Sequence, residues 1–196
     1  MLPREYFFSA SVVELARDLI GSVLHSRIDD VHTSGIIVES EAYSGAVDRA
    51  SHAYQNKQTA RTSVMFEEGG RSYVYLCYGL HHLFNIVTGP EGVADAILIR
   101  ALQPMSGKKI MKNRRGGGKN NRLTSGPANL SKAMGINITH NNLLLDGTSI
   151  WISKGKMINN QHIIACPRVG VDYAGSDASL PWRFYLRDNP WVSKIN

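Results

Sequence analysis

The apolar residues fall into short runs with two different spacings. Val12, Val13, Leu15, Leu19 and Ile20 follow Ser11-Val12-Val13-Glu14, a Ser-x-x-Glu capping box that predicts a helix start, and Gly21 predicts its end. Strand patterns come next at 22–26 and 35–43, separated by the polar turn Asp29-Asp30-Val31-His32. The segment around Ser44-Gly45 and Gln55-Asn56-Lys57 reads as loop with a short helical turn. Aromatic and β-branched residues dominate 72–78 and 82–88, with Gly79 between them, which predicts a hairpin turning near Gly79. Gly89-Pro90-Glu91-Gly92 turns the chain into a further strand at 94–102. A helix is predicted over 105–112, and a second one opens at Ser125-Gly126-Pro127, runs to about Met134 and stops at Gly135. Strands at 149–153, 162–169 and 183–187 complete one mixed α+β domain, mostly strands.

Composition narrows the class. The chain has 196 residues, 43% of them hydrophobic and 19% charged, which suits one soluble domain and excludes wholesale disorder. No apolar run approaches the roughly 18 residues of a bilayer span, and the start Met1-Leu2-Pro3-Arg4-Glu5 does not read as a signal peptide. Cys77 and Cys166 are the only two cysteines; they exclude a disulfide scaffold and fit a reducing, cytoplasmic setting. Lys plus Arg is 22 against 16 Asp plus Glu, a net charge of +6. Lys108, Lys109, Lys112, Arg114, Arg115, Lys119 and Arg122 lie together without an acid among them, beside Gly116-Gly117-Gly118. That run reads either as a solvated, flexible loop or as a mobile basic segment that settles on phosphate.

Candidate chemistry starts on the strand at 35–43. Strict alternation places Ile37, Glu39, Glu41 and Tyr43 on one face. Two acids there are either a strand end reaching solvent or a general base held against an aromatic wall. Tyr73 and Tyr75 share a face, and core packing is the simplest reading of Tyr73. Tyr78, beside the turn, is harder to bury; an exposed aromatic at a hairpin tip suits a wedge into stacked bases. Asn85, among apolar residues, needs partners for its amide, either structural or on a base edge. Adjacent His81 and His82 point to opposite faces and make a poor chelating pair. No HExxH, HxE…PCxxC, GxSxG, P-loop or dinucleotide-binding pattern occurs, so neither metal nor cofactor is expected.

Several short motifs then fall in a telling order. They are Glu39-Ser40-Glu41-Ala42-Tyr43, His52, Tyr73-Val74-Tyr75-Leu76-Cys77-Tyr78-Gly79, Asn85 and Ile99-Arg100-Ala101-Leu102-Gln103-Pro104. Ser125-Gly126-Pro127, Arg168-Val169-Gly170-Val171, Pro181-Trp182-Arg183-Phe184-Tyr185 and Asn189-Pro190-Trp191-Val192-Ser193 continue the series. Together, over about residues 5–193, they resemble the alkyladenine (3-methyladenine, methylpurine) DNA glycosylase family in its compact bacterial form. The resemblance implies a single domain over residues 1–196 with a curved, mainly antiparallel sheet flanked by helices, a protruding β-hairpin and a flexible basic loop at about 113–122. It implies Glu41 as the base that activates water and Arg100 as the residue that helps position both. Tyr43, His52 and Tyr75 match the walls around a flipped base, Tyr78 the intercalating residue, and Asn85 the pocket asparagine that clashes with the amine of normal guanine. The family pattern also differs here: Ala60 and Thr62 flank Arg61 where Pro and Asn are usual, and Glu67-Glu68 replace an uncharged turn.

The activity implied is hydrolytic excision of alkylated or deaminated purines (3-methyladenine, 7-methylguanine, hypoxanthine, ethenoadenine) from duplex DNA approached at the minor groove. No lysine matches a Schiff-base nucleophile, so a monofunctional, monomeric enzyme without lyase activity is expected. The other readings are a non-catalytic nucleic-acid-binding module, which leaves Glu41 without purpose beside a polyanion, and a small-molecule enzyme, which leaves the basic run without purpose.

Overall fold

The computed structural model of the protein describes residues 1–117 and 122–193. The capping box forms as predicted: Glu14 N donates to Ser11 Oγ and Ser11 N to the Glu14 carboxylate, opening helix α1, Val12–Asp18. Strand β1, Val23–Ile28, and strand β2, Val31–Tyr43, form an antiparallel pair. Only Asp29 and Asp30, at φ of 52° and 57°, separate them, so β2 starts earlier than the hydrophobic pattern suggested and His32 lies in it, not in the turn. Strands β3, Arg71–Cys77, and β4, His81–Thr88, make the protruding hairpin. Tyr78 falls outside β3, in the turn closed by Leu80 N donating to Cys77 O at 3.1 Å. Its φ of 50° and the 69° of Gly79 put two successive residues in the left-handed region, of which only glycine adopts it freely.

Strand β5 extends over Asp95–Ser106 before helix α2, Lys108–Arg114, begins. The helix expected from residue 105 therefore starts later, because the β2 ladder keeps pairing through Ser34–Ser106 and Gly107, at φ 75°, makes the break. Lys108, Lys109 and Lys112 lie on α2, within the expected helix, and Arg114, expected in the basic loop, lies on it as well. Residues 118–121 of the loop expected to be flexible, Gly118 and Lys119 among them, lie outside the described residues, whereas Gly116 N and Gly117 N close the end of α2 on Asn113 O and Lys112 O. Helix α3, Pro127–Met134, has Pro in its first turn and Gly135 at its end with φ 78°. Short strands β6, Ile150–Ser153, β7, Ile163–Cys166, and β8, Arg183–Leu186, follow. β7 is half the predicted length: Pro167 has no N–H to continue the ladder, and Arg168 and Val169 leave it.

The sheet runs β3-β4-β5-β2-β1-β6, all neighbours antiparallel, and β8 pairs with β2 at Glu39–Glu41, beyond the part of β2 that β1 occupies. Alternation gives the sheet two unlike faces. One face buries Ala42, Val74, Phe84, Ile86, Ile97 and Ile99 against Leu15 of α1, Met111 of α2 and Leu130 of α3. Each of these side chains except that of Ala42 contributes about 1.5–3 kcal/mol by leaving water. The opposite face carries Glu39, Glu41, Tyr43, Tyr73, Tyr75, Asn85, Leu98 and Arg100. It has a smaller apolar cluster of Val64, Met65, Tyr73, Val87 and Ala96.

Ile37 does not share that second face. The β2–β5 register slips at Val38 and at Arg100, and Ile37 joins the main core with Leu102 and Ile99. The paired irregularity breaks the strict alternation read from the sequence and turns Glu39 and Arg100 away from the helices together.

Candidate active site

A cavity of about 430 Å³ opens on the second face of the sheet, within the range that holds small ligands. Six of the seven residues singled out in the sequence line it: Tyr43, His52, Tyr75, Tyr78, Asn85 and Arg100. The seventh, Glu41, is fully buried directly behind the lining. Its Oε2 accepts from Tyr43 Oη at 2.7 Å and from Arg100 Nη1 at 3.3 Å. Its Oε1 accepts from Val169 N at 2.9 Å. All three donors belong to residues that line the cavity, so the carboxylate is held at the cavity floor. A strand end reaching solvent is thereby excluded for Glu41.

Glu39, two residues earlier, is buried in a tighter cage. Arg100 Nε and Arg183 Nε each donate to its Oε1 at 2.8 Å, and Ser193 donates through N to Oε2 and through Oγ to Oε1, both at 2.7 Å. Burial alone would raise the carboxyl pKa, but Arg100, Arg183 and Ser193 outweigh it and hold Glu39 below the usual carboxylate range. Arg100 thus spans both acids, Nε on Glu39 and Nη1 on Glu41. Burial opposes its charge, and the two carboxylates more than restore it. The Tyr43 hydroxyl is pushed far above its ordinary range by burial first and Glu41 second, so it stays protonated and donates.

The walls are built from both sides. Tyr75 meets His52 edge to face with centroids 4.7 Å apart, and Tyr73 lies 5.4 Å from Tyr75. His52 Nδ1 lies 2.9 Å from Tyr73 Oη, so Tyr73 is both core and cavity wall. Tyr43 has the Arg168 guanidinium 4.7 Å from its ring centroid, and Arg168 is fixed by Ala42 O at 2.8 Å and by the fully buried carboxylate of Asp48. Asn85 Nδ2 donates to Tyr73 O at 3.0 Å and to Leu83 O at 3.4 Å. The structural reading of that amide holds: its donors are tied to backbone, which leaves Oδ1 as the amide atom not used in those bonds, on a residue that lines the cavity. Tyr78 is 91% exposed at the hairpin tip, with Leu80 beside it at 77%. Among the described residues no three His, Cys, Asp or Glu side chains converge as metal ligands.

Sequence reading weighed Glu39 only as one of two possible bases and gave no role to Asp48, Arg61, Arg168, Arg183, Ser193 or Tyr173, all of which hold or line this site. Arg168, Arg183 and Ser193 stand in motifs quoted above, which was the available signal. Asp48 and Tyr173 carry none, since their partners are distant in sequence.

Comparison with known proteins shows the family. Residues 6–190 match the family model described as methylpurine-DNA glycosylase. A Chlamydia pneumoniae protein named "Putative 3-methyladenine DNA glycosylase" is 42% identical over 188 residues, 95% of both chains. A Bacillus cytotoxicus protein of the same name is 39% identical over 198 residues, covering 96% of this chain and 97% of its own. One from Natranaerobius thermophilus is 42% identical over 190 residues, covering 95% and 96%. With a match over nearly the whole chain, this protein belongs to the methylpurine-DNA glycosylase family.

Proposed function

We propose that the protein flips alkylated or deaminated purines out of duplex DNA and hydrolyses their glycosidic bond with water activated by Glu41. The observation that carries this reading is the carboxylate at the cavity floor, held by Tyr43, Arg100 and Val169. A duplex shields its glycosidic bonds, so the nucleotide must leave the stack, at a cost of a few kcal/mol. Tyr78, presented at the tip with little around it, offsets part of that cost by filling the vacated space from the minor groove. The base then rests among Tyr43, His52 and Tyr75. A ring-alkylated purine is cationic, and stacking on tyrosine stabilises it by about 0.5–2 kcal/mol.

Oε1 of Glu41 accepts Val169 N–H and keeps a lone pair for water. As the C1′–N bond breaks, its electron pair goes to the purine, the water oxygen bonds C1′, and the released proton passes to Glu41. The carboxylate also stabilises the oxocarbenium character at C1′, as in glycosidases. Arg100 fixes the carboxylate and lowers the repulsion between it and the DNA polyanion. Among the described residues no lysine lines the cavity, which supports hydrolysis without a Schiff base and without strand cleavage. One cavity serves one flipped base, and a monomer suffices.

The test is single-turnover base release from duplexes carrying hypoxanthine or ethenoadenine. Glu41→Gln is expected to lower the rate by about 10²–10⁴-fold, the range of a positioned general base. An undiminished rate would remove Glu41 from the mechanism.

A further inference from the structure

Arg61 has no part in the scheme above, yet it touches two walls of the cavity. Its Nη2 lies 3.1 Å from His52 Nε2, and its guanidinium carbon sits 4.7 Å from the centroid of Tyr75. A guanidinium has donors only, so His52 Nε2 must be the acceptor and carries no proton. The remaining imidazole proton is on Nδ1 and is donated to Tyr73 Oη, 2.9 Å away. The hydrogen-bond chain Arg61–His52–Tyr73 therefore allows one form of the ring, uncharged with the proton on Nδ1.

We propose that Arg61 is a positioning residue that sets lesion specificity: it locks His52 in the uncharged Nδ1–H form, so that a cationic purine meets a neutral wall. The proposal rests on the reading of this cavity as a flipped-base pocket and adds a residue to it. The positive charge is not removed from the region; it sits on an exposed guanidinium that water screens and not on the ring that would touch the base. Burial, and next the Arg61 charge, press the His52 pKa down to about 4, in line with the hydrogen-bond logic. The other groups around the ring are Tyr73 and Tyr75 of β3, while Tyr43, Cys77, Tyr78, Arg100 and Tyr173 line the rest of the cavity. None is a free carboxylate that would favour an imidazolium.

The experiment compares wild type with Arg61→Met, which keeps an unbranched chain over Tyr75 and removes the donor and the charge. Histidine 15N shifts read the tautomer directly, with His52→Asn used only to assign the signals. In wild type His52 is expected to keep Nε2 unprotonated down to about pH 4. In Arg61→Met its midpoint should rise by at least about one unit toward the ordinary value near 6.5. Equal midpoints in the two proteins would overturn the assignment. Excision gives the second arm: the ratio of 7-methylguanine to hypoxanthine release should fall about twofold or more between pH 7.5 and 5 in the variant, where about half of the rings are then imidazolium, and by only about a tenth in wild type. A ratio that follows wild type at every pH would refute the link to specificity. If wild type releases neither base, the flipped-base reading itself fails, and the tautomer measurement still decides whether Arg61 controls His52.

Discussion

Glu39 and Glu41 stand two residues apart on one strand, equally buried, yet they are built for opposite ends. Glu39 receives two guanidinium edges and both donors of Ser193. Every direction from it leads into protein. Glu41 has one guanidinium nitrogen at a longer 3.3 Å, a tyrosine hydroxyl and one backbone amide, all from residues that face the cavity. A buried carboxylate becomes structural when charged donors saturate it, and available for chemistry when its donors are few and border open space. Arg100 couples the two, so that Glu39 aims the residue that steadies Glu41.

Substitution separates the pair. The largest effect belongs to Glu41→Gln: base release should drop by the factor given above, with circular-dichroism melting close to wild type. Glu39→Gln should reverse that pattern, destabilising the fold by about 3–5 kcal/mol in denaturant titration, because Arg100 and Arg183 would remain charged and buried without their shared partner. A Glu39→Gln protein as stable as wild type would mean that the cage contributes nothing.

Acid titration sharpens the contrast. Because the folded pKa of Glu39 lies below its unfolded value, the stability it adds is complete above pH about 4.3 and fades as the pH falls through the lower folded value. His52 acts earlier: with a folded pKa of about 4, it withdraws stability as the pH falls from about 6.5 toward 4, since the unfolded chain then binds the extra proton. Urea melts over pH 3–7 should therefore show two descending limbs, the lower of which is missing in Glu39→Gln. The smallest effect is expected at the hairpin tip. Tyr78→Gly should stabilise the protein by about 1 kcal/mol, the relief of a left-handed non-glycine residue, while weakening discrimination between damaged and intact duplex.

Much of the architecture was legible because it is written locally. Ser11 and Glu14 cap α1, Gly135 stops α3, and the hairpin turns at Gly79, each through contacts within a few residues. The site was legible in a different way, through motifs whose order matched a family, and the cavity gathers those residues on one face. What remained hidden depends on distance. The register slip at Val38 and Arg100 needs two strands about 60 residues apart, and without it Ile37 seems to share a face with Glu39. Asp48 and Arg168, 120 residues apart, have no local signature of pairing. The early start of α2 was misplaced because pairing with β2 outweighs the helical spacing of Met105–Lys112.

The left-handed backbone at Tyr78 carries a wider consequence. Selection for a robust fold would settle on glycine at that position, as it has at the next one, and the chain instead retains a bulky ring there. Consensus or thermostability engineering that ranks substitutions by melting temperature would rate this position among the first to alter and, under the function proposed above, would produce a hardier protein with a blunted tool.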